Sequence, residues 1–393
     1  MLELNPKRSV KISNDQWFGR LSLAIVAGYF VVGLWPFDFR PHNRVDWSGN
    51  SVGLHFQPYS IAYDPAPLPA LPESGVAPGM PAHFTAELWV ATRREPANNV
   101  FNIVTIHNPR LPLDFVLGQW KQDFLLRGTT WQPQPGDAIR EVGVYHALPN
   151  QSARFITIRS DGAGTDFYMD GAVTGHFPQF VLNARALDGQ LILGNNASGK
   201  TPWTGWLFGL ALYNRALSPA EIGWHRALWT QGRARQLTRA PGLTALYLFD
   251  EGRGQQVKDY SGNGHRVIIP SSFQPIHRDL LLAPWKDVSY NRPDYSDIAI
   301  NVLGFLPFGF CFFLYRHARR PQRLVTNALL VVLAGVAVSL TIEVLQAYLP
   351  TRDSGMTDIF TNALGTCIGA IACRTVSPAL TERFPRSPFS EGA

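Results

Sequence analysis

Between Arg40 and about Asp297 this chain has no long apolar run, whereas the segments on either side of that stretch carry several. The runs are Leu21 to Phe37, Ile298 to Tyr315, Leu324 to Leu349 and the shorter Ile359 to Cys373. A membrane-crossing helix needs ~20 largely apolar residues, with ~17 as a lower bound. A chain of this pattern must place its two kinds of material in different surroundings. The mean hydropathy of -0.05 averages over both and describes neither.

The charges agree with this division. Lys7, Arg8, Lys11 and Arg20 precede the first run, RHARRPQR (Arg316 to Arg323) follows the second, and Arg374 follows the fourth. The short loop after the third run has Arg352 alone. With the basic flanks inside, the positive-inside rule gives four spans and two cytoplasmic termini. WPFDFRPHN follows the first run, with large residues where a small-x-small cleavage site would stand, so the run reads as a retained anchor rather than a signal peptide. The net charge of +6 is thereby explained by topology, and nucleic acid is not an expected partner. Cys311, Cys367 and Cys373 all lie in the apolar C-terminal part, so no disulfide framework supports the middle and no Cys/His metal spacing is present.

The middle region consists of short stretches rich in aromatic and β-branched residues, such as HFTAELWV, VFNIVTIH, ARFITIRS and GQLILGN, punctuated by Gly, Pro, Asn and Asp. Their alternation and spacing predict an antiparallel sandwich. Asp161-Gly162 and Asp170-Gly171 predict hairpin turns. Ser218-Pro219-Ala220-Glu221 predicts one helix start, with an N-cap, a proline at the first position and a glutamate at the third. Trp89, Trp120, Trp203 and Trp206 are expected to fill the space between the sheets. Asp250, Asp259 and Asn263 could offer oxygens to a Ca2+ ion, although DYSGNG is also a good turn sequence. Glu87, Glu221 and Glu251 form no sequence-level carboxylate pair of the kind a glycosidase needs.

GWLFGLALYNRALSPAEI (Gly205 to Ile222), with FTAELWV, DFYMDG and LILGNN in order before it, resembles laminin-G-like, concanavalin-A-like jelly rolls over roughly residues 44–275. LYLFDEGRGQQVKDYSGNGH (Leu246 to His265) resembles the opening strand of such domains but comes at the end here, which implies a permuted or re-wired closing strand. The resemblance implies binding of carbohydrate or of a surface protein.

Inside the apolar runs, polar residues recur at helical spacing. Asp297 and Asn301 share one face, as do Ser339, Glu343 and Gln346, and as do Asp358, Asn362, Gly365 and Gly369. Arg352 and Asp353 lie in the short loop between the last two sets. A charge facing lipid at the bilayer centre costs ~3 kcal/mol on insertion scales, so these stripes are expected to converge. Glu343 and Asp358 are the candidate acid–base groups, and Arg352 suits a phosphate. Helix–helix hydrogen bonding is the competing role for Asn301, Gln346 and Asn362.

SDIAINVLGFLPFGF, SLTIEVLQAYLPTRDSGMTDIFTNALGTCIGA and the early WPFDF resemble the VanZ family of small bacterial membrane proteins. That resemblance implies an association with low-level resistance to teicoplanin-type glycopeptides. The expected organisation is a cytoplasmic tail (1–20), a first span (21–40), an inserted extracytoplasmic all-β sandwich (44–275), a linker (276–296), spans two to four (297–374) and a cytoplasmic tail (375–393). The expected function is that of a non-enzymatic protein of the bacterial inner membrane and cell envelope. Its sandwich would bind carbohydrate or an envelope protein, and its four-helix bundle would bind a lipid-linked or phosphate headgroup. No cofactor beyond Ca2+ is expected, and self-association is left open. An intramembrane enzyme acting on a lipid or lipid-linked sugar, and a scaffold for exopolysaccharide or protein-sorting machinery, remain alternatives.

Overall fold

The computed structural model describes residues 14–49, 52–68, 81–93, 99–111, 113–131, 141–278, 280–284 and 295–383. The expected linker lies partly outside the described residues, as do the ends of both tails, including Lys7, Arg8 and Lys11. The chain divides into two compact units. One is Arg40–His277; the other joins the residues up to Phe39 with those from Arg278 onward.

The first unit is an antiparallel β-sandwich. Among the described residues one sheet runs β1 (Val45–Trp47), β2 (Leu54–Phe56), β13 (Gly205–Tyr213), β4 (Phe84–Thr92), β9 (Arg154–Asp161), β10 (Gly164–Met169) and β11 (Ala172–Phe177). The other runs β15 (Gln256–Lys258), β16 (Arg266–Ile268), β3 (Ala62–Leu68), β12 (Gly189–Leu193), β5 (Phe101–His107), β6 (Phe115–Trp120), β7 (Asp123–Arg127) and β8 (Glu141–Val144). Period-2 alternation sends Phe84, Ala86, Leu88 and Val90 of β4 inward, where they meet Phe115, Leu117 and Leu191 in one continuous core. The two Asp-Gly pairs both turn hairpins. Asp170 and Gly171 take positive φ of 50° and 84° between paired Met169 and Ala172, as a type I′ turn requires.

β14 (Leu243–Tyr247) hydrogen-bonds to the C-terminal half of β13, while β2 takes the N-terminal half of the same edge. Helix α2 (Pro219–Thr230) starts at the predicted cap, with Ser218 and Glu221 forming a complete capping box. It covers the outer face of the first sheet and creates a second buried cluster with Phe155, Tyr168, Tyr213 and Trp229. The tryptophan expectation is corrected here. Trp203 alone of the four is fully buried between the sheets. Trp89 points outward toward the α2 cluster, and Trp206 and Trp120 are half-buried, because alternation places their positions on outer faces.

The second unit is helical: α1 (Asn14–Leu34), α3 (Tyr295–Arg319), α4 (Leu324–Gln346) and α5 (Met356–Arg383). Each contains a stretch long and apolar enough to cross a membrane, namely Gln16–Leu34, Ser296–Arg319, Leu324–Gln346 and Met356–Thr375. Helices α3 and α5 run parallel at very close range. A Cβ built on Gly365 or Gly369 would lie 2.2 Å from the carbonyl oxygen of Val302 or Leu306, respectively. The Gly365/Gly369 pair is thus what lets the two backbones touch.

Candidate functional site

The C-terminal ends of α1 and α4 and the N-terminal ends of α3 and α5 meet, and the polar stripes come together there. Two pairs bridge helices directly. The Asn301 amide donates to Asp358 Oδ1 at 2.8 Å, tying α3 to α5. The Asn362 amide donates to Ser339 Oγ at 2.9 Å, tying α5 to α4. Both Ser339 and Asn362 are buried. Glu343, one turn beyond Ser339, is also buried, and its Oε2 accepts the backbone N–H of Gly355 at 2.8 Å. The carboxylate thereby fixes the loop that connects α4 to α5.

Two further residues reach α1. The Gln346 amide donates to the Gly33 carbonyl at 2.9 Å. The exposed Arg352 donates to the Trp35 carbonyl at 3.0 Å, just past the end of α1. A cation beside terminal carbonyls is favourably placed against the helix dipole. The loop is further held from the side of residues 281 and 282. Ser354 Oγ accepts from the Leu281 N–H, the Leu282 N–H donates to the Ser354 carbonyl, and the Met356 N–H donates to the Leu282 carbonyl. Asp297 lies one turn before Asn301 on α3 and is exposed, whereas Asn301 is the residue of that pair that bonds to Asp358. Gly355, Ser354 and the α1 carbonyls were not legible in sequence, because backbone groups carry no motif.

The sandwich contains a second polar cluster that sequence reading missed. Glu87 on β4 is fully buried and accepts from Tyr213 OH at 3.2 Å and Trp229 Nε1 at 3.1 Å. His225 Nδ1 lies 2.8 Å from its other oxygen. His225 and Trp229 are one helical turn apart on α2, which was an available signal for a shared face. Burial and the Glu87 charge hold the Tyr213 phenol well above its ordinary range, so it acts as a donor. The network fastens α2 to the sheet.

The residues read as calcium ligands are engaged separately. Asp250 pairs with Arg235 at 2.8 Å and accepts from Tyr260. Asp259 accepts the N–H groups of Leu246 and Ser261. Asn263 turns its amide N–H groups toward the carbonyls of Leu243 and Thr244. Among the described residues no group of three His, Cys, Asp or Glu side chains is arranged to hold a metal. Glu221 is drawn down to about 2 by the Arg215 guanidinium and the Ser218 cap.

Comparison with known proteins gives two family matches. The VanZ/LLP1 family model matches residues 243–377, and the concanavalin A-like lectin/glucanases superfamily model matches residues 70–223. The first match begins inside the sandwich, since residues 243–268 form β14 to β16. No curated protein sequence matches the chain. Solved structures similar to the sandwich include a protein from Bacteroides ovatus, at 14% identity and a TM-score of 0.36, with 57% of this chain and 61% of that chain covered. The chain thus spans about three fifths of that protein's length. The CBM40 domain of a Ruminococcus gnavus IT-sialidase, bound to alpha2,3 sialyllactose, is similar at 14% identity and a TM-score of 0.32, covering 46% of this chain and 95% of that one. Domain 4 of AbnA, an extracellular arabinanase from Geobacillus stearothermophilus, in complex with arabinotriose, is similar at 13% identity and a TM-score of 0.32, covering 47% and 85%. Likeness at these values carries no ligand over to this chain.

Proposed function

We propose that this chain is a non-enzymatic protein of the bacterial cell envelope, anchored in the inner membrane by its four long helices. Both termini are cytoplasmic, and the sandwich faces outward and binds carbohydrate or an envelope protein. The polar cluster at the outer helix ends, Glu343, Arg352, Asp358, Asn301, Asn362, Ser339 and Gln346 with Asp297 beside it, binds the phosphate of a lipid or lipid-linked headgroup. The observation that carries this reading is the convergence of acid, amide and guanidinium side chains at one end of otherwise apolar helices.

Membrane insertion is supported by the outward faces. Leu23, Val32, Ile300, Leu303, Val325, Leu333, Leu364 and Ile371 are all exposed large hydrophobics, a pattern a water-soluble helical unit does not carry. Trp17 near the start of α1 and Trp35 just past its end are exposed as well, in the manner of interfacial aromatic residues. Arg352 favours a phosphate, because a guanidinium matches it bidentately. Involvement in low-level teicoplanin-type resistance extends this reading from the VanZ resemblance.

Native mass spectrometry of the gently purified protein tests the lipid site. Wild type is expected to retain a phosphate-bearing lipid that Glu343→Ala and Arg352→Gln lose. Equal retention of bulk phospholipid by all three would reduce the cluster to helix–helix hydrogen bonding. Turnover of a polyprenyl-linked substrate would instead make Glu343 and Asp358 an enzyme's acid–base pair. Protease added to intact spheroplasts is expected to digest the sandwich and spare a tag on either terminus.

A further inference from the structure

The opposite end of the helices carries a second arrangement. Arg316, His317 and Arg319 form the basic last turn of α3, Arg320 and Arg323 lie in the turn between α3 and α4, and Arg20 and Arg374 lie toward the corresponding ends of α1 and α5. No Asp or Glu occurs in residues 16–37, 298–342 or 359–381. Among the described residues no carboxylate pairs with Arg316, Arg320 or Arg323.

This turn is built rather than loose. Fully buried Asn327 donates its amide to the Arg320 carbonyl at 2.8 Å, and its backbone N–H donates to the Arg323 carbonyl at 2.8 Å. Arg320 and Arg323 each donate a backbone N–H back into the turn, to the carbonyls of Arg316 and Arg320. Arg320 and Arg323 are exposed, whereas Arg316 and His317 are half-buried. His317 stacks on Phe313 with ring centroids 5.7 Å apart. Arg316 Nε and His317 Nδ1 are buried and have no hydrogen-bond partner. A charged N–H withdrawn from water without an acceptor is unfavourable, and an anionic oxygen is the group that relieves it.

Helical rise sets the depth. Asp297 and Arg316 are 19 residues apart on α3, or about 28 Å, close to the ~30 Å hydrocarbon thickness of a bilayer. If the Asp297 end stands at one headgroup layer, Arg316 stands at the other.

We propose that the α3–α4 turn binds the phosphate headgroup of an anionic phospholipid of the inner leaflet, with Arg316, Arg320 and Arg323 as its cationic contacts. The proposal rests on the membrane reading above. It adds a lipid site distinct from the outer cluster, with arginines as its contacts in place of mixed acid, amide and guanidinium groups.

The test uses the full chain in nanodiscs of phosphatidylcholine mixed with phosphatidylglycerol, released gently for native mass spectrometry. Wild type is expected to retain phosphatidylglycerol over phosphatidylcholine several-fold. The combined Arg316→Gln, Arg320→Gln, Arg323→Gln variant is expected to lose that preference. If the triple variant does not fold, Arg320→Gln alone is expected to weaken the preference, because Arg320 is exposed. Absence of headgroup preference in wild type, or its survival in these variants, overturns the proposal. Release of wild type from membranes by alkaline carbonate without detergent would overturn the membrane reading, and this site with it. Retention in the membrane without headgroup preference overturns this site alone.

Discussion

At the scale of single residues, the sandwich depends on buried polar groups that have their partners. Replacing Glu87 by Leu leaves the donors of Tyr213, Trp229 and His225 without their acceptor in a site closed to water. An unsatisfied buried donor costs ~1–3 kcal/mol, so a loss of about 3 kcal/mol is expected in urea unfolding followed by tryptophan fluorescence. Two surface groups give pH dependence of opposite sign. Hydrogen bonding to Asp114 raises the pKa of His107 above 6.5, so its stabilisation is full below that value and lost as pH rises through the raised folded value. The Arg215 guanidinium, with the Ser218 cap, lowers Glu221 from 4.5 to about 2, so that contribution is present above 4.5 and disappears as pH falls toward 2. Thermal midpoints across pH should show both limbs. Asp114→Asn should flatten the upper limb alone, and Arg215→Gln should weaken the lower one.

At the scale of elements, short local signals and close backbone approach do the work. Ser218→Ala removes one half of the α2 capping box and is expected to lower stability by about 1 kcal/mol, read by chemical denaturation. The α3–α5 crossing is less forgiving. A side chain at Gly365 or Gly369 would meet backbone oxygen rather than a movable side chain. Gly365→Val and Gly369→Val should therefore separate α3 from α5, lowering the midpoint of thermal aggregation in detergent far more than Gly304→Val, where a Cβ would meet nothing within 4 Å. The same crossing aligns Asn301 with Asp358, so these variants should also weaken lipid retention at the outer cluster.

At the scale of the whole molecule, the two compact units should behave as two materials. A fragment of residues 40–277 is expected to be soluble without detergent, while the full chain is expected to partition with membranes. A fragment ending at residue 223 should fail to fold although it contains the matched lectin-like segment. It lacks β14 to β16, and with them Tyr247, Phe249, Val257 and Val267, all fully buried in the inter-sheet core. Circular dichroism and limited proteolysis of the two fragments separate these outcomes.

The sequence by itself determined what depends on neighbours along the chain. Hydrophobic run length marked the four long helices, alternation marked β4 and β9, Asp-Gly placed the hairpin turns, and Ser218 to Glu221 started α2. Each of these signals is local, because helix and strand periods and cap geometry are set within a few residues. Helical spacing also grouped Ser339 with Glu343, and Asp358 with Asn362. Only the tertiary structure decided which groups met across elements. It joined Asn301 to Asp358 and left Asp297 exposed, gave Glu343 a backbone partner at Gly355, and buried Glu87 beneath His225 and Trp229. It also sorted Trp203 inward and Trp206 outward. Those outcomes depend on strand register and helix crossing, where a one-residue shift turns a side chain to the other face, and no single segment of the chain contains that information.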